Sequence, residues 1–123
     1  MSTLIEKISL AEKFRLFSAH WEPKIVAELN DFYVKLVRFE GDFVWHSHES
    51  EDELFFVFEG EMLMKLRERE IAVGPGEMIV IPRGVEHKPV APREVLAMLF
   101  EKKTTVNTGD ADSDLKLTEL EWI

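Results

Sequence analysis

The chain contains no cysteine. That excludes a disulfide framework, and it excludes a thiolate as metal ligand or nucleophile. No apolar run approaches the roughly 18 residues that a membrane-spanning helix needs. Met1 to Leu10 lacks the basic start and long apolar stretch of a secretory signal. These absences fit a soluble, cytoplasmic protein. Positive charge is also short: 15 Lys and Arg stand against 24 Asp and Glu, for a net charge of -9. No cluster of Lys and Arg offers a track for phosphate backbones, so nucleic acid is not an expected partner. The same acidity disfavours an anionic membrane surface.

What the sequence does have is enough apolar material for one core. The chain has 123 residues, 46% of them hydrophobic. That is the size of a single domain. One short helix is expected over Ser9 to Ala19. Ser9 and Glu12 have capping-box spacing, and Leu10, Phe14 and Phe17 recur at helical intervals. After Pro23 the apolar period becomes two. Strands are expected at Lys24–Leu29, Phe32–Phe39, Leu54–Phe58, Met62–Leu66, Ile71–Val73, Met78–Ile81 and Val95–Phe100. Glu59-Gly60-Glu61 reads as a hairpin turn; Gly74-Pro75-Gly76 and Pro82-Arg83-Gly84 are further turns. Many short strands with no intervening long helix point to an all-β sandwich or barrel. The expected layout is one domain over 1–123. Residues 1–23 form a helix and arm, 24–101 the barrel, and 102–123 a tail. Leu115, Leu117, Leu120 and Trp122 of that tail are expected to pack back on the barrel.

The chemistry-bearing residues are few. His46 and His48 are two apart, so in extended chain both rings face one side and Ser47 faces the other. Glu53 follows a polar turn, Glu49 to Asp52, at the start of an apolar strand. His87 comes much later, after the Pro82-Arg83-Gly84 turn. Three imidazoles and a carboxylate make a mixed nitrogen and oxygen site suited to one divalent ion of Fe, Mn, Ni, Zn or Cu. Glu51 and Asp52 are alternative carboxylates, but strand parity puts Glu53 on the face of Phe55 and Val57. His20 lies outside this group and reads as a surface residue.

These residues fall in two separated blocks. The first is Gly41, His46-Ser47-His48, Glu53 and Gly60. The second is Gly76, Pro82-Arg83-Gly84 and His87. Together they resemble the two motifs of the cupin superfamily. Two positions depart from the pattern. Four residues rather than five separate Gly41 from His46, and Ala91 stands where an asparagine is frequent. Neither is a ligand. The resemblance implies a double-stranded β-helix, a jelly-roll barrel, holding a metal through His46, His48, Glu53 and His87. It also implies a homodimer formed through sheet edges, with exchange of N-terminal segments.

Phe55, Val57, Met62, Met64 and Met78 are the expected pocket lining, with ordinary core packing as the other reading. Tyr33 and Lys35 share one face of their strand. If that face points inward, they are candidates for a catalytic acid or a substrate anchor; an inward lysine needs a partner. Two classes of function remain open. One is a metal-dependent enzyme acting on a small oxygen-rich molecule. Sugar or sugar-acid isomerisation is one version, since small cupins are similar to the barrel of mannose-6-phosphate isomerase. Fe(II)-dependent dioxygenation is the other. The second class is a barrel that binds or senses a small ligand without catalysis.

Overall fold

The computed structural model describes residues 5–123. Met1 to Leu4, part of the stretch read above for a signal, lie outside them. The elements are α1 (Leu10–Phe14), β1 (Lys24–Leu29), β2 (Phe32–Asp42), β3 (Glu53–Glu59), β4 (Met62–Lys65), β5 (Glu70–Val73), β6 (Met78–Ile81) and β7 (Lys88–Lys102). All strand pairs are antiparallel, in the order β1-β2-β7-β3-β6, with β4 joining both β5 and β7. The result is a jelly-roll barrel with one short helix outside it. Among the described residues, no helix is long and apolar enough to cross a membrane.

The Ser9 half of the expected capping box is present, with the Glu12 N–H donating to Ser9 Oγ at 3.3 Å. The helix stops at Phe14 rather than running to Ala19. Arg38 explains the early stop. Its guanidinium donates to the carbonyls of Phe14 (2.8 Å) and Phe17 (3.0 Å). It thereby satisfies C-terminal carbonyls that another helical turn would otherwise have used. Phe14 then packs with Val26, Leu36 and Leu96 on the outer face of the sheet.

Two strands are longer than their apolar pattern. β7 begins at Lys88, although Pro89 and Pro92 argue against a strand there. The register explains how Pro92 is tolerated. Phe39 pairs with Val95 and Gly41 with Ala91, so Pro92 to Glu94 bulge out of the ladder. The same bulge corrects the expected hairpin at Gly60. β3 and β4 do not pair with each other. β3 lies along Leu96–Phe100 of β7, and β4 lies along Lys88–Val90. They form one bent strand, and Gly60 is the bend, set against the bulge. Its φ is +86°, and a Cβ there would stand 2.6 Å from the Glu94 carbonyl oxygen.

The barrel interior follows from parity. Val37 and Phe39 of β2, Phe55 and Val57 of β3, Met62 and Met64 of β4, and Val95, Ala97 and Leu99 of β7 form one buried cluster. The C-terminal tail closes over it. Leu115 packs against the cluster, and the Ile25 N–H donates to the Glu121 carbonyl at 2.8 Å while the Ile123 N–H donates to the Ile25 carbonyl at 3.0 Å.

Gly60→Ala combines a left-handed backbone with a clash against backbone, so it should cost about 2 kcal/mol or more. Gly76→Ala has a similar φ of +80° but open space around the new methyl, so it should cost about 1 kcal/mol. Urea unfolding of the two variants checks the difference; equal costs would remove the role given to the bend.

Candidate metal centre

Three segments build the centre. His46 and His87 face each other across a two-way backbone bridge. The His46 N–H donates to the His87 carbonyl at 3.1 Å, and the His87 N–H donates to the His46 carbonyl at 2.9 Å. The Gly84 N–H donates to the His48 carbonyl at 2.8 Å. The Pro82-Arg83-Gly84 turn is therefore clamped to the His-x-His segment. Glu53 opens β3, whose parity turns it inward with Phe55. Ser47 points away, as alternation requires, and binds Asp110 through its N–H (2.8 Å) and Oγ (3.3 Å).

One ligand atom from each of His46, His48, Glu53 and His87 lies within 4.8 Å of the others, and all four residues are buried. Glu53 Oε1 is 3.3 Å from both His48 Nε2 and His87 Nε2. Bonds of roughly 2.0–2.2 Å to a central ion put neighbouring ligand atoms about 3.0–3.4 Å apart, so this spacing is that of a coordination shell. The tautomers agree. His46 Nδ1 is 2.8 Å from the Val44 carbonyl, and His87 Nδ1 is 2.9 Å from the Val85 carbonyl. A carbonyl only accepts, so both Nδ1 atoms carry the proton and both Nε2 atoms present lone pairs to the centre. His48 Nε2 is buried and makes no well-aligned hydrogen bond despite its nearness to Glu53. A buried polar atom left unpartnered costs free energy, and an ion at the centre of the four would satisfy it. The donor set fits a divalent metal.

The electrostatics point the same way. Burial, then the neighbouring His87, lowers the His46 pKa from 6.5 to about 4, so the ring is neutral at pH 7. Burial also acts to lower His48, but the Glu53 carboxylate outweighs it and raises that pKa. Glu53 itself is held well below the carboxylate range. Burial would raise it, yet the neighbouring Glu101, His48 and His87 side chains prevail. Glu101 goes well above that range through burial and the adjacent Glu53 charge. Two neighbouring buried carboxyls disfavour each other's ionised forms, and the shifts run in opposite directions, down for Glu53 and up for Glu101. Behind them, Lys35 Nζ donates to Glu101 Oε1 at 2.9 Å. Neither Lys35 nor Glu101 is more than 1% exposed.

Of the other candidates, Asp52 accepts from the Arg83 N–H at 2.8 Å and Glu51 accepts from Thr104 Oγ1 at 3.1 Å. Both brace turns and stand outside the four-residue group. His20 bonds Glu94 at 2.8 Å, also outside. Lys35 does face inward, and Tyr33 sits half-buried at the barrel end. Phe55 lines a small chamber beside His46 and Glu53 with Trp21, Phe39 and Phe43. Val57, Met62 and Met64 belong to the packed core below it. Met78 is a correction: it is 63% exposed. Its register partner is Phe56, on the outward row of β3, so parity carries it away from any pocket. Two further residues around the centre, Glu101 and Trp21, carry no motif in the sequence. The one available signal was parity, since Glu101 follows Ala97 and Leu99 at strand intervals. The chamber has room for about 20 Å³, the volume of a single water.

The chain belongs to the cupin family: the family's Cupin domain model matches residues 35–101. It is similar to YdbB of Bacillus subtilis, at 34% identity over 72% of this chain and 76% of that protein. It also resembles the crystal structure of a cupin-2 domain containing protein from Shewanella frigidimarina. There the TM-score is 0.78 at 48% identity, covering 78% of this chain and 94% of that one. A third relative is 3-hydroxyanthranilate 3,4-dioxygenase 2 of Aspergillus fumigatus, at 29% identity over 68% of this chain. The match covers only 46% of that enzyme's length.

The His46 shift has a sign. Its folded pKa lies below the unfolded value, so between pH 6.5 and about 4 the unfolded chain binds more protons. For the metal-free protein, the His46 contribution to stability is thus intact above pH 6.5. It is lost on acidification to about pH 4, by about 3 kcal/mol. His48 acts oppositely: its raised pKa stabilises at low pH and fades as pH rises through the folded value. Imidazole ¹⁵N spectra of metal-free protein should show His46 neutral to near pH 4 and His48 titrating above 6.5. A single common titration near 6.5 for both rings would refute this electrostatic account.

Proposed function

We propose that the protein is a metal-dependent enzyme acting on a small oxygen-rich molecule, with His46, His48, Glu53 and His87 holding one divalent ion. The observation that carries this reading is the closed group of four buried ligand atoms with an unpartnered His48 Nε2 at its edge. A divalent ion bound there supplies Lewis acidity and, with four protein ligands, leaves up to two positions of an octahedral shell open. The chain's own residues fix the ligand tautomers, keep His46 neutral and exclude bulk water.

Between the two enzymatic versions, the chamber favours dioxygenation. Its lining is mainly apolar and aromatic, and the titratable side chains among its walls are two of the ligands, His46 and Glu53. Isomerisation needs a further group to carry a proton, whereas adding both atoms of O₂ to a substrate balances without an outside reductant. The likeness to a dioxygenase supports this order. Metal analysis of chain purified without chelator should give about one ion per chain. His48→Ala should weaken metal binding at least tenfold with the barrel still folded. Stoichiometric metal retained in that variant would contradict the ligand set. With iron restored, oxygen uptake against a panel of small phenolic and keto acids tests the reaction.

The reading extends to a single domain over 1–123, a cytoplasmic setting and a homodimer. Support for the homodimer comes from the outer sheet face. Strand register lines up Val34, Phe100, Leu54 and Val80 in one row and Leu36, Met98, Phe56 and Met78 in the next. Leu36 is covered by the helix cluster, but Val80 and Met78 are 49% and 63% exposed. A contiguous apolar face of this kind is rarely left to solvent. Sedimentation at micromolar concentration should give twice 14.3 kDa; 14.3 kDa alone would exclude the dimer.

A further inference from the structure

A second and larger cavity, of about 450 Å³, lies between the barrel end and the C-terminal tail. That volume is within the usual range for small-molecule sites. Lys35 and Thr105 both line it. Lys35 is 1% exposed. Its ammonium has three N–H donors, and among the described residues it hydrogen-bonds one acceptor, Glu101. Thr105 is 7% exposed, and among the described residues its Oγ1 has no partner. A buried ammonium with donors to spare and a buried hydroxyl with no partner, both in the wall of one cavity, are costly unless an acceptor arrives. A carboxylate supplies two oxygens with about four lone-pair sites.

The walls suit the rest of such a ligand. Lys35 Nζ lies 6.0 Å from the Tyr33 ring centroid and Lys103 Nζ lies 5.3 Å from it, so two ammonium groups flank this ring, Lys35 paired with Glu101 and Lys103 with Glu28. Trp122 stands edge-on to Tyr33, with centroids 5.7 Å apart. The lining contains one acid, Glu119, which is exposed and sits on the tail. We infer that this cavity is a binding site for a small organic acid, whose carboxylate meets Lys35 and Thr105 and whose body lies along Tyr33 and Trp122.

Asn107 connects this site to the metal centre. It forms part of the wall of both the large cavity and the chamber beside His46 and Glu53. The tail pins it: Asn107 Nδ2 donates to the Leu115 carbonyl at 2.8 Å, and Oδ1 accepts from the Leu117 N–H at 2.9 Å. The acid site rests on the metal-centre reading only for the acid's role as substrate; acid binding itself needs no metal.

The test uses benzoate as probe and benzamide as its uncharged counterpart. It follows the indole ¹⁵N–¹H signal of Trp122 in the full chain, assigned by its loss in Trp122→Phe. Benzoate should shift this signal saturably and benzamide should not. Lys35→Met and Thr105→Val should each weaken benzoate binding by about tenfold or more; if Lys35→Met fails to fold, Thr105→Val decides. His48→Ala, which removes a metal ligand, should bind benzoate as the parent does. Three results would overturn the inference: no saturable shift with benzoate, an equal shift with benzamide, or undiminished binding in Thr105→Val. Loss of benzoate binding in His48→Ala would also overturn it, by moving the acid to the metal. Absence of metal from the parent protein would defeat only the metal-centre reading.

Discussion

Everything at the centre of this barrel answers to one constraint, the burial of the Glu53 carboxylate. A lone carboxylate in an apolar interior costs several kcal/mol. Glu53 is 3% exposed, and among the described residues no Lys or Arg forms an ion pair with it. Its neighbours are the His48 and His87 imidazoles, each with Nε2 3.3 Å from Oε1, and the Glu101 carboxyl. Lys35 adds positive charge one residue further back through Glu101. The arrangement is tolerable in the metal-free protein and becomes favourable with a divalent ion among the ligand atoms. Lys35 is buried because Glu101 partners it, and an ion among the ligand atoms would satisfy His48 Nε2.

The fold serves that constraint through parity and clamping. Inward positions on β2, β3 and β7 deliver Lys35, Glu53 and Glu101 from three strands to one end of the barrel. The backbone bridge between His46 and His87 fixes two rings before any ion arrives. The tail then covers the assembly. Gly109 packs so tightly on the first block that a Cβ would stand 2.2 Å from the Ser47 carbonyl oxygen and 3.0 Å from the His46 ring. With Asp110 holding Ser47, the tail forms part of the wall of the site. The chamber beside His46 and Glu53 has room for about 20 Å³, while a wider cleft of about 220 Å³ is lined by His48, Glu51 and the tail residues Gly109 and Asp110.

The four ligands were legible in the sequence because their spacing is local within each block and only the join between blocks depends on the fold. Strand positions were legible wherever the apolar period was clean. Met78 shows where that failed. It looks like a core residue by type, and only the pairing of β6 with β3 reveals that it faces out. Gly60 shows another limit. A glycine between two short apolar runs reads as a hairpin, while the partner of both runs, β7, was hidden by its prolines. Lys35 could be flagged but not placed, because its partner lies 66 residues away and a lone glutamate in a strand has no motif. The helix ended early for a similar reason, since Arg38 acts from a distant strand.

The central claim is that one ion sits among His46, His48, Glu53 and His87. Anomalous diffraction from crystals of the metal-loaded protein, collected on either side of the metal's absorption edge, tests it most directly. The account predicts one strong peak per chain, about 2.0–2.2 Å from each histidine Nε2 and from a Glu53 oxygen. No peak at that point, or a peak held by other residues, would contradict it.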